Sequence, residues 1–167
     1  MNNPSYHFIT KSPWSAEELR KQKLSLILQE LKVRIIFLII DETGDKKKGK
    51  STDYVSRQYL WKLGKIDKGI VVLTAWGLID GISLPLSFEV SKPRERLKVG
   101  DVYRSKPEIA AQMVRELKQM GFEIELVLAD SLYGESKSKV LGYLEELELS
   151  FVVAIRRNHG VWPILFG

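Results

Sequence analysis

Apolar and polar residues alternate along the chain in patterns that predict its first elements. Over residues 14–31, apolar side chains recur at helical spacing behind Ser15, a residue type that favours the N-cap of a helix. Residues 35–40 are all apolar, which is typical of a strand buried on both faces, and the strand is expected to end at Asp41. The predicted inward stripe of the helix is Leu19, Lys23, Leu26, Ile27 and Leu31. Residues 42–68 are mostly polar and are predicted to form a long loop.

A hairpin and two helix–strand pairs are predicted next. Strand-forming runs over residues 70–78 and 83–90 flank Asp80-Gly81, a dipeptide that favours the two-residue turn of a hairpin. Beyond the hairpin, the pattern predicts a helix over residues 107–121, a strand over 124–129, a helix over 136–147 and a strand over 151–155. This order indicates an α/β fold whose mixed sheet combines an antiparallel hairpin with parallel strands and carries helices on its faces.

Length and composition narrow the class of protein. A chain of 167 residues has about the length of one domain, and an apolar content of 44% supports a buried core. Because there is no cysteine, disulfide scaffolds, thiolate zinc sites and thiol nucleophiles are excluded. The apolar run over residues 33–40 is too short to cross a bilayer, and the N-terminus lacks the apolar region of a signal peptide. We therefore expect a globular, cytoplasmic protein with no membrane partner.

The charge of the chain is concentrated in one segment. The formal net charge is +5, yet residues 46–68, called the basic segment below, hold eight Lys or Arg residues against two Asp residues. Tyr54, Tyr59 and Trp61 lie among these cations. Clustered cations bind a phosphate backbone, and aromatic rings among them stack on bases. A solvated lysine-rich loop is the alternative interpretation of this segment.

Two aspartates follow predicted strands. Asp41 closes the first strand and Asp130 closes the strand over residues 124–129. If these strands are neighbours, their carboxylates face each other at one edge of the sheet, where hard oxygen ligands suit Mg²⁺ or Mn²⁺. Two such ions would activate the oxygens of a phosphoryl transfer. Alternatively, each aspartate forms a turn or caps a helix, and Asp130 before Ser131 fits that role.

A nucleotide-binding motif offers a competing interpretation. Residues 44–51 match the P-loop pattern G-x-x-x-x-G-K-[ST]. A P-loop follows its strand tightly and opens into a helix, whereas here three residues separate the predicted strand from Gly44 and no amphipathic stripe follows Ser51. We therefore expect the pattern to be a chance match, and P-loop nucleotide binding is the less favoured alternative.

Three blocks of the sequence resemble the DDE transposases of bacterial insertion sequences. The blocks are DETGDKKKGKSTDYVSRQYLWKLGKIDKGIVVLTAWG, VLADSLYGES and FVVAIRRNHGVW, and the resemblance covers residues 14–163. It implies a ribonuclease-H-like catalytic domain that cleaves DNA at transposon ends and joins the 3′ ends to target DNA. It also implies that Asp41 and Asp130 are catalytic residues that bind Mg²⁺ or Mn²⁺, and that Tyr133-Gly134 corresponds to the segment after the second aspartate.

Further assignments follow from the resemblance. It implies that residues 1–31 are a remnant of an N-terminal helical region and that residues 32–167 are part of the catalytic domain, incomplete at the C-terminus. DNA, as transposon ends and target, is the expected partner, and a second copy of the chain or a full-length transposase is another. The candidate DNA contacts are Lys46, Lys47, Lys48, Lys50, Arg57 and Arg156.

One departure from the family pattern limits the expected activity. The family's third carboxylate is a glutamate in a downstream Tyr-x-x-Arg-x-x-x-Glu signature, which does not occur in these 167 residues. Glu135 is a poor substitute because it lies close to Asp130 in sequence. We therefore expect a truncated transposase with weak or no activity. The alternative is a non-catalytic DNA-binding fragment that modulates transposition.

Overall fold

The computed structural model describes residues 15–32, 34–49 and 52–157, together with residues 11 and 13. The chain forms two compact units, Met1–Val33 and Arg34–Gly167. The assignment of residues 1–31 and 32–167 to two regions of a larger transposase stays a prediction.

The first unit contains helix α1, Ala16–Leu31. Ser15 caps the helix as predicted, because its side chain accepts a hydrogen bond from the Glu18 amide at 3.3 Å. The predicted start at residue 14 lies outside the described residues. The predicted stripe is wrong at Leu19 and Leu26, which are exposed. The burial falls instead on the stripe that a 3.6-residue period also allows, namely Leu24, Ile27, Leu28 and Leu31.

The second unit is built on one mixed sheet. Its strands are β1 (Ile36–Lys46), β2 (Ser56–Leu60), β3 (Lys65–Ile79), β4 (Ile82–Val90), β5 (Ile124–Ala129) and β6 (Ser150–Val153). Five of them are ordered β2-β3-β1-β5-β6. The sixth, β4, lies outside this order and pairs with β3. Strand β3 pairs antiparallel with β1, β2 and β4. Strand β5 pairs parallel with β1 on one side and with β6 on the other. The predicted mixed sheet, which combines an antiparallel hairpin with parallel strands, is confirmed.

The hairpin turn and strand β5 follow the sequence closely. Asp80 and Gly81 connect β3 to β4 with φ angles of 49° and 78°. Two positive φ angles are what a tight type I′ turn requires, and Asp-Gly is a pair that adopts them readily. Strand β5 spans the residues predicted for it, whereas β6 ends two residues earlier than predicted.

The predicted long loop over residues 42–68 is wrong. Strand β1 continues past Asp41 to Lys46, and its partners run from Thr74 to Gly69 on β3. Most of its polar side chains there are exposed, which an antiparallel ladder tolerates because backbone hydrogen bonds hold the strand. Strand β2 adds a third strand to this region by pairing with the first residues of β3.

The helices of this unit connect strands. Helix α2 (Lys106–Gln119) lies between β4 and β5 and buries an apolar face that includes Ile109, Met113 and Leu117. Its N-terminus has a capping box in which Glu108 accepts hydrogen bonds from Ser105. A hydrogen bond from Lys139, together with these bonds from Ser105, holds the pKa of Glu108 down at about 2.

The chain between β5 and β6 contains the helix predicted over residues 136–147, which spans residues 137–146 and begins with a π-helical turn. Helix α3 (Ser131–Gly134) is followed by a π-helical turn (Lys137–Leu141) and by α4 (Gly142–Glu146). The wide turn brings the carbonyl oxygen of Lys137 to the backbone of Gly142, which has no side chain to obstruct it. Within the described ranges, no helix has both the length and the apolar character that crossing a membrane requires.

Candidate active site

The two predicted aspartates directly follow paired residues of two neighbouring strands. Strands β1 and β5 are parallel neighbours, and Ile40 pairs with Ala129 in their ladder. Asp41 and Asp130 are the next residues after this pair, so the condition that the two strands be neighbours is met. The expectation that both aspartates end their strands holds only for Asp130, because β1 continues beyond Asp41.

Asp41 occupies the point where β1 loses its parallel neighbour. Its side chain is exposed, and its Oδ1 atom accepts a hydrogen bond from the Glu42 amide at 2.8 Å. The hydroxyl of Thr74 donates to the Asp41 carbonyl oxygen at 3.2 Å and ties the residue to β3. Among the described residues, Oδ2 of Asp41 has no hydrogen-bond partner and is open to a ligand.

Asp130 performs the structural role that the sequence offered as the alternative. Its Oδ1 atom accepts a hydrogen bond from the Leu132 amide at 2.9 Å and caps α3. Its Oδ2 atom makes no hydrogen bond within the described part of the chain. Capping and ligand binding therefore use different oxygens of the same carboxylate, and the two roles are compatible.

A third carboxylate, Glu42, lies beside Asp41 but faces the interior. Strand alternation sends it to the same side as the buried Leu38 and Ile40, and only 5% of its side chain is exposed. The Nζ atom of Lys106, the first residue of α2, lies 2.7 Å from Glu42 Oε2. Neither residue was predicted, although extending the alternation of β1 through residue 42 would have indicated an inward carboxylate.

Tyr133 completes the interior side of the site. Its side chain is fully buried, and its hydroxyl has no hydrogen-bond partner in the described structure. Burial raises the pKa of this hydroxyl far above its usual value, and the nearby charges of Glu42, Asp130 and Asp41 raise it further. The phenol therefore stays protonated beneath the carboxylates, as a donor without an acceptor.

The residues present supply part of a metal site. Asp41 and Asp130 offer open carboxylate oxygens, the donor type that Mg²⁺ and Mn²⁺ prefer. Glu42 is held in its ion pair with Lys106, and Glu135 lies 3.2 Å from the guanidinium of Arg156. Over the described ranges, no group of three acidic or histidine side chains is arranged to hold a metal ion. The pair thus fits a divalent ion as two ligands of a larger set.

The second part of the basic segment forms a hairpin in which β2 pairs with the first residues of β3. Two of the DNA contacts predicted in the basic segment are ion-paired, Lys46 with Asp67 at 2.6 Å and Lys47 with Asp45 at 2.5 Å. Arg156, on the other side of the site, pairs with Glu135.

Two of the predicted DNA contacts keep an uncompensated charge. Lys48 and Arg57 are exposed and make no ion pair with any described residue. Lys50 lies outside the described residues. Arg57 lies on β2 opposite Lys68 of β3, and Lys48 lies two residues beyond the end of β1.

The P-loop alternative is not supported by this geometry. Gly44 sits inside the β1–β3 ladder opposite Val71, and the strand extends two residues further. A phosphate cradle needs a loop whose amides converge, whereas these residues are extended and paired. The last two residues of the pattern, Lys50 and Ser51, lie outside the described residues.

Comparison with known proteins agrees with the resemblance found in the sequence. Residues 4–165 match the family described as "DDE superfamily endonuclease". The chain is 60% identical over 156 residues to a protein of Microchaete diplosiphon, "Probable transposase for insertion sequence element IS701". That match covers 93% of this chain and 41% of the relative, so the chain spans less than half of the relative's length.

Solved structures provide more distant similarities. The catalytic domain of Mos1 mariner transposase matches with a TM-score of 0.41 and 14% identity, over 88% of this chain and 65% of that chain. The Drosophila P element transposase strand transfer complex matches with a TM-score of 0.35 and 13% identity, over 90% of this chain and 37% of that one. The family match, which covers nearly all of the sequence, settles the classification: this chain belongs to the DDE superfamily endonuclease family.

Proposed function

We propose that this chain is part of a transposase that cleaves DNA at the ends of an insertion sequence and transfers the strands to a target. Asp41 and Asp130 are the catalytic carboxylates of this proposal and its metal ligands. The adjacency of the two residues on β1 and β5 is the observation that carries it. The family match and the similarity to an insertion-sequence transposase support the same activity.

The proposed cofactor is Mg²⁺ or Mn²⁺, held by the open oxygens of Asp41 and Asp130. When bound, such an ion lowers the pKa of water and activates the 3′-hydroxyl that attacks the target. The chain positions its two ligands by different means. The β1–β3 ladder fixes Asp41, and the cap of α3 fixes Asp130. The buried Glu42–Lys106 pair holds the residue next to Asp41 against α2.

The proposed partner is DNA, at transposon ends and at the target. The exposed cations of the basic segment, with Lys48 and Arg57 foremost, would contact backbone phosphates. A second copy of the chain or a full-length transposase is a further proposed partner, and the cytoplasm is the proposed compartment.

We propose that the chain on its own is weakly active or inactive. The Tyr-x-x-Arg-x-x-x-Glu signature is absent from its sequence, and two carboxylates bind a divalent ion more weakly than three. Metal binding is therefore a sharper test than strand transfer for this chain.

The proposal is tested by titrating the chain with Mn²⁺ and following the free ion by electron paramagnetic resonance. Asp41→Ala and Asp130→Ala should each abolish binding, whereas Asp80→Ala should leave it unchanged because Asp80 lies in the remote β3–β4 turn. A nicking assay with Mn²⁺ and supercoiled plasmid follows on the same proteins. Mn²⁺ binding that neither aspartate variant reduces would overturn the assignment.

A non-catalytic DNA-binding fragment is the second candidate, favoured by the ion-pair-free cations Lys48 and Arg57. It predicts that the unmodified chain and the Asp41→Ala variant bind DNA equally well and that neither nicks it. Nicking that is lost in the Asp41→Ala variant would exclude this candidate.

A further inference from the structure

A groove beside the acidic centre has four cations and one carboxylate in its lining. It has a volume of about 430 Å³ and lies under the loop that joins β4 to α2. Its lining includes Lys92, Arg94, Glu95, Arg104, Lys106 and Leu132. We call this feature the cationic groove. None of these residues was singled out by the sequence.

The cationic groove adjoins the carboxylates of the candidate active site. Lys106 reaches from the groove to Glu42, the neighbour of Asp41 in β1. Leu132, on the opposite wall, donates its amide to the Asp130 side chain. The groove is therefore connected to the acidic centre through a residue that bonds to Asp130 and through the neighbour of Asp41.

Three of the four cations are already paired within the protein. Lys92 pairs with Asp101 at 2.5 Å, and Lys106 pairs with Glu42 at 2.7 Å. Arg104 pairs with Glu89 at 2.5 Å and also donates to the side chain of Gln112. These three pairs build the walls of the groove.

Arg94 is the cation whose charge is not compensated in this way. Its guanidinium stacks on the Tyr103 ring at 4.0 Å from the ring centroid, and the side chain has no carboxylate partner among the described residues. Stacking fixes the plane of a guanidinium while its N–H edges stay free to donate, often in pairs, to phosphate oxygens.

The loop that carries Arg94 is held in place at its base. The Asp101 carboxylate accepts hydrogen bonds from Lys92 Nζ, from the Lys98 amide at 2.8 Å and from the Tyr54 hydroxyl at 3.3 Å. These contacts tie the loop to the residues that precede β2. A cation held in this way loses little conformational entropy when it binds a ligand.

We propose that the cationic groove binds a backbone phosphate of DNA beside the acidic centre and that Arg94 is the residue that contacts it. This inference rests on the proposed function. The exposed carboxylate of Glu95, which lines the same groove, repels a phosphate and so weakens the binding.

The test measures binding of a fluorescein-labelled DNA duplex to the 167-residue chain by fluorescence anisotropy at several salt concentrations. Arg94→Ala should weaken binding about threefold or more and lower the slope of log K against log salt by about 0.9, the value for one lost phosphate contact. Glu95→Gln should tighten binding, and Arg94→Lys should fall between Arg94→Ala and the unmodified chain.

Arg115→Ala is the matched control. Arg115 is exposed and stacks on Tyr143 at 4.4 Å in the same manner, but it lines a different groove on α2. It should change neither the affinity nor the salt slope beyond the small effect of one remote charge. Circular dichroism of each variant verifies that the fold is retained.

The outcomes separate this inference from the proposed function. If the unmodified chain does not bind DNA at all, the proposed function fails, and the inference fails with it. If the chain binds DNA and the Arg94→Ala variant has the same affinity and salt slope as the Arg115→Ala variant, only the inference is overturned.

Light scattering adds a further outcome. An Arg94→Ala variant that changes oligomeric state but not DNA affinity would make the loop a protein interface and overturn the phosphate assignment.

Discussion

The two halves of strand β1 lie in different surroundings. Residues 36–40 have β3 on one side and β5 on the other, and their side chains are buried in alternation. Residues 41–46 have β3 as their partner, and most of their side chains are exposed. Asp41 lies at the boundary, where a rigid strand first becomes accessible to a ligand. A single strand therefore contributes side chains both to the buried core and to the exposed acidic site.

Two ion pairs within residues 41–46 also differ in burial. Glu42 and Lys106, which join β1 to α2, are 5% and 24% exposed. Lys46 and Asp67, at the end of β1, are 43% and 24% exposed. Because solvent screens exposed pairs, the Lys46–Asp67 pair contributes less to stability than the buried Glu42–Lys106 pair.

The largest expected effect comes from breaking the buried pair. Lys106→Met should lower the free energy of unfolding by about 3 kcal/mol, because it leaves the Glu42 carboxylate buried without a cation. Urea denaturation measures the change. The double variant Glu42→Gln with Lys106→Met should recover most of the loss. A loss of less than about 1 kcal/mol for the single variant would mean that Glu42 is less buried than described.

A second variant tests the packing behind the acidic centre. In Gly134→Ala, the added methyl group would overlap the carbonyl oxygen of Ala154 just after β6, so we expect a loss of about 2 kcal/mol. Gly49→Ala is the control, because no atom lies within 4 Å of the position of its added methyl group. Thermal unfolding of both proteins should show a lower melting temperature for Gly134→Ala alone.

Loss of the exposed Lys46–Asp67 pair should lower the free energy of unfolding much less. Lys46→Ala should cost under about 1 kcal/mol, because the Lys46–Asp67 pair is partly solvated, and added salt should shrink the difference further. Unfolding measured at low and at high ionic strength provides the comparison. A salt-independent loss as large as that of Lys106→Met would contradict the distinction between the exposed and the buried ion pair.

The smallest effect is expected from the buried phenol. Tyr133→Phe removes a hydroxyl that has no hydrogen-bond partner in the described structure, so stability should stay the same or rise by up to about 1 kcal/mol. Tyr133→Leu, which also removes ring volume, serves as the contrasting variant and should destabilise the protein. If Tyr133→Phe costs more than about 1 kcal/mol, the hydroxyl is hydrogen-bonded in solution.

Elements with strong local signals could be predicted from the sequence. Ser15 at the N-cap, Asp80-Gly81 in the hairpin turn and the apolar residues of β5 each specify their structure within a few positions. The sequence left open whether β1 and β5 are neighbours, and the structure shows that they pair and that Asp41 and Asp130 directly follow the paired residues Ile40 and Ala129.

Elements held by distant partners could not be predicted in this way. Residues 41–46 are polar, and they are extended because β3 pairs with them, a contact that no local pattern reveals. The inward direction of Glu42 depends on that same pairing. Arg94 lies in a polar loop whose position is set by contacts with Tyr54 and Tyr103. These features come from tertiary structure, which overrides local preference.

The pairing of β1 with β5 also has a kinetic consequence. The turn at Asp80-Gly81 lets β3 and β4 meet early, because only two residues separate them. Ile40 and Ala129 must instead close a loop that includes the whole hairpin and helix α2. Loop closure of that length costs entropy before any contact repays it, so we expect β5 to dock late in folding. The two aspartates would then come together only as the chain reaches its native state, and a partly folded chain would carry no paired carboxylates.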